Sequence, residues 1–211
     1  SMNVRDGDDS KNSRLSVSKS KIQEIVTHIP WKIGLTIFSG SSQRIVPHTW
    51  DKNIFLTFLS SVDRENVSQW WTSIQWAIKD ALNDFIEDTS WSIILFTDGG
   101  EEQWEDIQDI QKIIHQKNIG VYIVGIWTQK WWAIPYAQDV FWRISYKTYN
   151  GERVIAKLSD TSLKNLASKL GWEYYHISEI SQIDFIQWIW SKNRNLRTFS
   201  LSMFFAYIAF V

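Results

Sequence analysis

Ser92-Ile93-Ile94-Leu95-Phe96-Thr97-Asp98-Gly99-Gly100 is the stretch on which the reading of this 211-residue chain turns. Its apolar run shows no polar alternation, which is what a strand covered on both faces of a parallel sheet requires. It ends on an acid followed by two glycines, residues that let the backbone turn sharply. A second buried run, Val121-Tyr122-Ile123-Val124-Gly125-Ile126, follows downstream. Between the two, Glu105–Lys117 places Ile107, Ile110, Ile113 and Ile114 at helical spacing. Strand, helix and strand in that order form the repeating unit of an open α/β sheet.

The alternation continues in both directions. Upstream, residues 13–29 read as a helix stopped by Pro30, and Lys32–Phe38 as a strand. Gln43–Val46 reads as a short strand ended by Pro47, and Asp51–Leu59 as a short helix with an acidic start. Thr72–Ile86 carries Ile74, Ala77, Ile78, Ala81, Leu82 and Phe85 on one stripe, the pattern of a helix with one buried face. Downstream, residues 144–158 read as a β-hairpin about Asn150-Gly151, with arms Ile144-Tyr146-Thr148 and Val154-Ala156-Leu158. Helix 161–170, strand Glu173–Ile177 and helix 180–190 complete the series. The expected fold is α/β, a doubly wound, mostly parallel sheet with helices on both faces.

Residues 199–211 are apolar and uncharged, shorter than the ~20 residues a membrane-spanning helix needs. Lys192, Arg194 and Arg197 precede them, as anchoring basic residues often do. The expected organisation is a folded domain over 1–190, a basic juxtamembrane linker over 191–198, and the start of a truncated transmembrane helix over 199–211. The basic residues lean towards a cytoplasmic domain, without fixing the side of the membrane.

Composition narrows the function classes. With 44% hydrophobic residues the chain can bury a core. Lys and Arg number 22 against 23 Asp and Glu, which argues against a nucleic-acid protein built on bulk positive charge. Absence of Cys removes disulfides, thiolate metal sites and thiol catalysis. His28, His48, His115 and His176 lie on different elements without metal-ligand spacing, and no phosphate-loop pattern occurs. Glu101, Glu102, Glu105 and Asp106 open a helix, where acids favour the positive dipole end.

Tryptophan is the anomaly: 14 Trp stand against 9 Gly, where ordinary usage gives a chain this long about 15 Gly. Several Trp stand where chain geometry asks for glycine. Trp70 and Trp71 precede a helix start, Trp91 a strand, Trp127 follows a strand, Trp131 and Trp132 lie in a polar loop, and Trp172 stands beside Gly171 at a helix end. This placement predicts that most of these positions are glycine in the organism, UGA codons read as glycine having been written as tryptophan. Tryptic peptides of the native protein are therefore expected to carry glycine masses at 70, 71 and 172. Tryptophan masses there would contradict the reading.

In an open α/β sheet, ligands sit at the carboxyl ends of the strands. Asp98 emerges there, and Thr72 opens the helix over 72–86. Thr97-Asp98-Gly99-Gly100 after a buried strand and Thr72 at a helix start resemble two of the three metal-binding segments of the von Willebrand factor type A (VWA) domain. That family's first segment is Asp-x-Ser-x-Ser after its first strand, and Ser1-Met2 resembles its last Ser and the residue after it. On this resemblance the chain lacks the first strand together with the Asp and first Ser of the motif. The likeness is strongest to Bat-type aerotolerance operon membrane proteins. It runs through Ser13-Arg14-Leu15, Lys32–Gly40, Thr72-Ser73-Ile74 with Ala77-Ile78, Phe96–Gly100 and Val124-Gly125-Ile126. It continues through Ala133-Ile134-Pro135, the Gly151 hairpin and Leu163–Tyr175. That pattern has glycine at the positions of Trp70, Trp71, Trp127 and Trp172.

The resemblance implies a non-enzymatic, membrane-anchored bacterial domain with a metal-ion-dependent adhesion site. Ser1 and Thr72 would supply hydroxyl oxygens and Asp98 a direct or water-mediated carboxylate. Mg²⁺, or Mn²⁺ or Ca²⁺ in its place, suits such oxygen donors, and with few anionic ligands it accepts a carboxylate from a protein partner. Related VWA membrane proteins are candidates for assembly with it. Trp70 and Trp71 would crowd the site if made as written. Two other classes compete: a metal-dependent hydrolase using Asp98, which needs a second convergent acid or His, and an aromatic carbohydrate-binding module, which needs the Trp to be genuine.

Overall fold

The computed structural model describes residues 13–39, 41–63, 78–79, 81–82, 91–98, 108–126, 132–133, 135–138, 144–146, 148–149, 152–153, 155–156, 160–180 and 203–209. The central feature is a six-stranded sheet built from β1 (Ile33–Ser39), β2 (Ser41–Thr49), β3 (Trp91–Thr97), β4 (Gly120–Gly125), β5 (Glu173–His176) and β6 (Met203–Ala209). Their order is β5-β4-β3-β6-β1-β2. All neighbours run parallel except β1 and β2, which are antiparallel.

The unbroken apolar runs are explained by what each strand separates. In β3, Ile94 and Phe96 enter one core, while Ile93 and Leu95 enter the other. Tyr122 and Val124 of β4 join the first, and Val121 and Ile123 the second. Because side chains alternate at period two, both faces must be apolar when helices lie on both. The first core is closed by α1 (Arg14–His28) and α2 (Lys52–Ser61) through Leu15, Ile22, Ile25, Val26, Phe55 and Leu59. The second is closed by α3 (Gln108–Gln116), α4 (Asp160–Leu170) and the helical residues Ile78, Ala81 and Leu82.

Local chemistry sets the helix ends. Ser13 caps α1, its Oγ accepting from the Ser16 N–H at 3.2 Å, and Ile29 turns extended before Pro30. Asp51 caps α2, Oδ1 accepting from the N–H groups of Asn53 and Ile54. Both α3 and α4 close with a residue at positive φ, Asn118 (51°) and Gly171 (69°). In each, the next N–H reaches back five residues, Ile119 to Ile114 and Trp172 to Ala167.

That geometry corrects the expectation at 172. Gly171 carries the left-handed conformation, and the backbone at Trp172 does not call for glycine. Trp172 occupies the following position, where an apolar residue commonly packs on the last turn. It is buried with Leu163, Leu166, Ala167 and Leu170, although its indole N–H has no hydrogen-bond partner among the described residues.

Three further expectations change. β2 extends to Thr49, through Pro47, because it lies at the sheet edge, where a missing N–H costs no ladder bond. The 144–158 hairpin is shorter than read. Tyr149 pairs with Glu152 and Thr148 with Arg153, but Ile144–Tyr146 pairs with Pro135–Gln138, and Ile155–Ala156 with Trp132–Ala133. Most consequentially, Met203–Ala209 is neither helical nor outside the domain. It is the strand β6 between β1 and β3, in register Phe204 to Ile33 and Met203 to Trp91. The sheet therefore has a strand in the slot that the sequence reading left empty. An uncharged apolar segment fits a strand buried on both faces as well as a helix, since neither shows polar periodicity. No helix among the described residues is long and apolar enough to cross a membrane. Residues 181–190 of helix 180–190, the linker 191–198 and most of helix 72–86 lie outside the described residues.

One titratable group is built into the sheet. His48 of β2 packs over Gly34 of β1, where a Cβ would lie 2.8 Å from its ring Cδ2. Burial, reinforced by the charges of Arg44 and Lys32, pushes its pKa down to about 4 from 6.5. The unfolded chain takes up this proton near pH 6.5 and the folded chain only near pH 4, so stability is full above about 6.5 and falls between those values. Chemical denaturation is expected to show a loss of about 1–2 kcal/mol across that window, discounted for the ring's partial exposure. His48→Gln should flatten that slope; an unchanged slope would assign it elsewhere.

Candidate metal centre

The five parallel strands bring their carboxyl ends to one rim. From the centre the chain winds outward in two directions, through β1 to β2 and through β3 and β4 to β5. The reversal falls at β6, and a crevice at such a reversal is where open α/β sheets bind ligands. Asp98 is the first residue after β3, the strand that flanks β6 on one side. Thr97, paired with Gly125, fixes the end of β3, its carbonyl accepting from the Ile126 N–H at 2.8 Å.

Asp98 is fully buried, an unusual state for a carboxylate without compensation. Arg14 supplies part of it, with Nη1 3.3 Å from Oδ2 and both side chains almost completely excluded from solvent. The guanidinium reaches the rim because Arg14 is the first residue of α1, held there by the Ser13 cap and by the Ser18 hydroxyl donating to its carbonyl at 2.7 Å. A cation at that end of a helix opposes the dipole, a cost of roughly 0.3–1 kcal/mol. The charge on Asp98, 84 positions away, offsets it.

The other carboxylate oxygen is left over. Asp98 Oδ1 is buried and has no hydrogen-bond partner among the described residues. A buried anionic oxygen with no donor is costly, and a cation satisfies it. The residue present thus fits a hard divalent ion, which takes oxygen ligands. Ser1 and Thr72, the other expected ligands, lie outside the described residues, as do Trp70 and Trp71. Among the described residues no group of three His, Cys, Asp or Glu could hold an ion. The sequence reading singled out Asp98 but gave Arg14 no role at the site; the only local signal was a basic residue directly after a helix cap.

The class of fold is an open, doubly wound α/β sheet with a buried acid at its carboxyl rim. Within that class the chain shares the fold of the Bat-type proteins. An aerotolerance-related membrane protein from Bacteroides fragilis NCTC 9343 is 21% identical, with a TM-score of 0.73 over 92% of this chain and 94% of its own. BatB from Bacteroides thetaiotaomicron is 23% identical, with a TM-score of 0.74 over 92% of each chain. Identity at this level establishes the common fold and no more. Proximal thread matrix protein 1 from the mussel byssus, in a form with a zinc-occupied MIDAS motif, aligns over 53% of this chain at a TM-score of 0.45, too distant to carry any property across. No protein-family model and no curated protein sequence matches the chain.

Proposed function

We propose that this chain is a VWA-type interaction domain of a bacterial membrane protein that holds a divalent ion, Mg²⁺ by its ligand chemistry, and engages a protein partner through it. The observation that carries this reading is Asp98 Oδ1, a buried carboxylate oxygen at the sheet's switch point with no donor among the described residues. Asp98 would hold the ion together with the hydroxyls of Ser1 and Thr72. When bound, the ion supplies an electrophilic centre for an acidic side chain of the partner. Asp98 contributes negative charge already partly neutralised by Arg14, so the ion keeps an appetite for a further anionic ligand.

Binding rather than catalysis is favoured because a hydrolase would need a second acid or His converging on Asp98. Placement at the cell membrane is supported by the membrane-protein relative of the same fold, and the side of the membrane is left open. Calorimetric titration of Mg²⁺ into the chain and into Asp98→Ala tests the proposal. Binding to the first and loss in the second is expected; equal binding to both would reject the site.

A further inference from the structure

The Arg14–Asp98 pair bears on how such a site is controlled. Two features of Arg14 stand apart from ordinary surface ion pairing. It is a buried cation on the first residue of a helix, where a cation is disfavoured, and it takes up one carboxylate oxygen while the second has no donor among the described residues. We propose that Arg14 is a built-in counter-cation of the metal site. It compensates Asp98 when no ion is bound and opposes the ion's charge when one enters, so that affinity is held down and the ion meets Asp98 through Oδ1 alone. This inference rests on the proposed divalent-ion site and deepens it by naming a residue that sets the affinity.

Arg14 acts on both the ion-free and the ion-bound state. Without an ion, removing Arg14 takes from the buried Asp98 carboxylate its ion-pair partner among the described residues, which penalises the ion-free fold. With an ion present, removing Arg14 also removes a repulsive positive charge beside it, in surroundings where charges are poorly screened. Both changes act in one direction, towards tighter binding and greater dependence of folding on the ion. A purely structural Arg14 would give the opposite sign, because a loosened rim would bind the ion less well.

The test is titration of Mg²⁺ into the full chain, Arg14→Gln and Arg14→Lys, read by calorimetry and by the ion-induced rise in Tm. For R14Q we expect affinity about tenfold tighter or more, a lower Tm in chelator, and a larger Tm rise on adding Mg²⁺ than in the parent chain. R14K keeps the positive charge and should retain parent-like affinity. If R14Q does not fold in chelator, folding on addition of Mg²⁺ is the supporting result, and failure to fold at any Mg²⁺ concentration overturns the proposal. Equal or weaker binding by R14Q than by a parent chain that binds Mg²⁺ overturns the role of Arg14 and leaves the proposed function standing. Absence of binding by both proteins overturns the proposed function itself.

Discussion

A chain ending at Phe199 is expected to lose cooperative folding. The segment removed contains β6, which pairs with β1 along Ile33–Phe38 and with β3 along Trp91–Phe96. Without it, the two halves of the sheet no longer share a hydrogen-bonded ladder, and two buried strands acquire raw edges. Each buried backbone group left without a partner costs about 1–3 kcal/mol. Several such losses exceed the roughly 5–15 kcal/mol that stabilises a typical domain. Far-ultraviolet circular dichroism and thermal unfolding check this. The structure predicts a non-cooperative, aggregation-prone product. A truncated chain that unfolds sharply at an unchanged Tm would mean that 203–209 is dispensable to the sheet and would restore the membrane-helix reading.

Asp98→Ala should be the most damaging single substitution at the rim. It deletes the carboxylate that faces Arg14 and leaves a guanidinium with almost no solvent access beside an apolar methyl group. Breaking a buried pair from one side costs about 3–5 kcal/mol, more than the pair contributes relative to apolar replacements of similar shape. Arg14→Met combined with Asp98→Leu should therefore be more stable in chelator than Asp98→Ala alone. Urea unfolding of the parent, the single and the double variant decides the matter. A loss in Asp98→Ala below about 1 kcal/mol would show that the pair is solvated after all.

These two effects come from opposite ends of what the sequence made legible. Ser92–Phe96 and Val121–Ile126 announced themselves because strands with cores on both sides must be apolar at every position. The acidic start at Asp51 did the same for α2, whereas Ser13, read as part of the helix over 13–29, is the cap of α1. The helix reading fails at Met203–Ala209 because an apolar run without polar punctuation does not say which kind of backbone carries it. What distinguishes Met203–Ala209 is the ladder it finds between β1 and β3, a long-range pairing with no local signature. Pro47 misled in a similar way, since its effect on β2 depends on whether the strand is central or at an edge.

The place of Asp98 at the end of β3 was legible because a strand end followed by two glycines is a local motif. Arg14 was not, because its meaning lies in a partner more than eighty positions away. Trp172 shows the limit of reading caps from sequence alone: of two adjacent residues at a helix end, only Gly171 takes the positive φ. The glycine reading at 172 therefore loses its backbone argument, and the expected masses at 70 and 71 carry more of its weight.

The proposed function requires a divalent cation to bind beside Asp98. Its most direct test is titration of Mn²⁺, a paramagnetic stand-in for Mg²⁺, into isotopically labelled protein while amide resonances are followed. Saturable broadening is expected, centred on Thr97, Asp98 and the start of α1, reversed by excess Mg²⁺ and lost in Asp98→Asn. Broadening that spares these residues, or persists unchanged in Asp98→Asn, would contradict it.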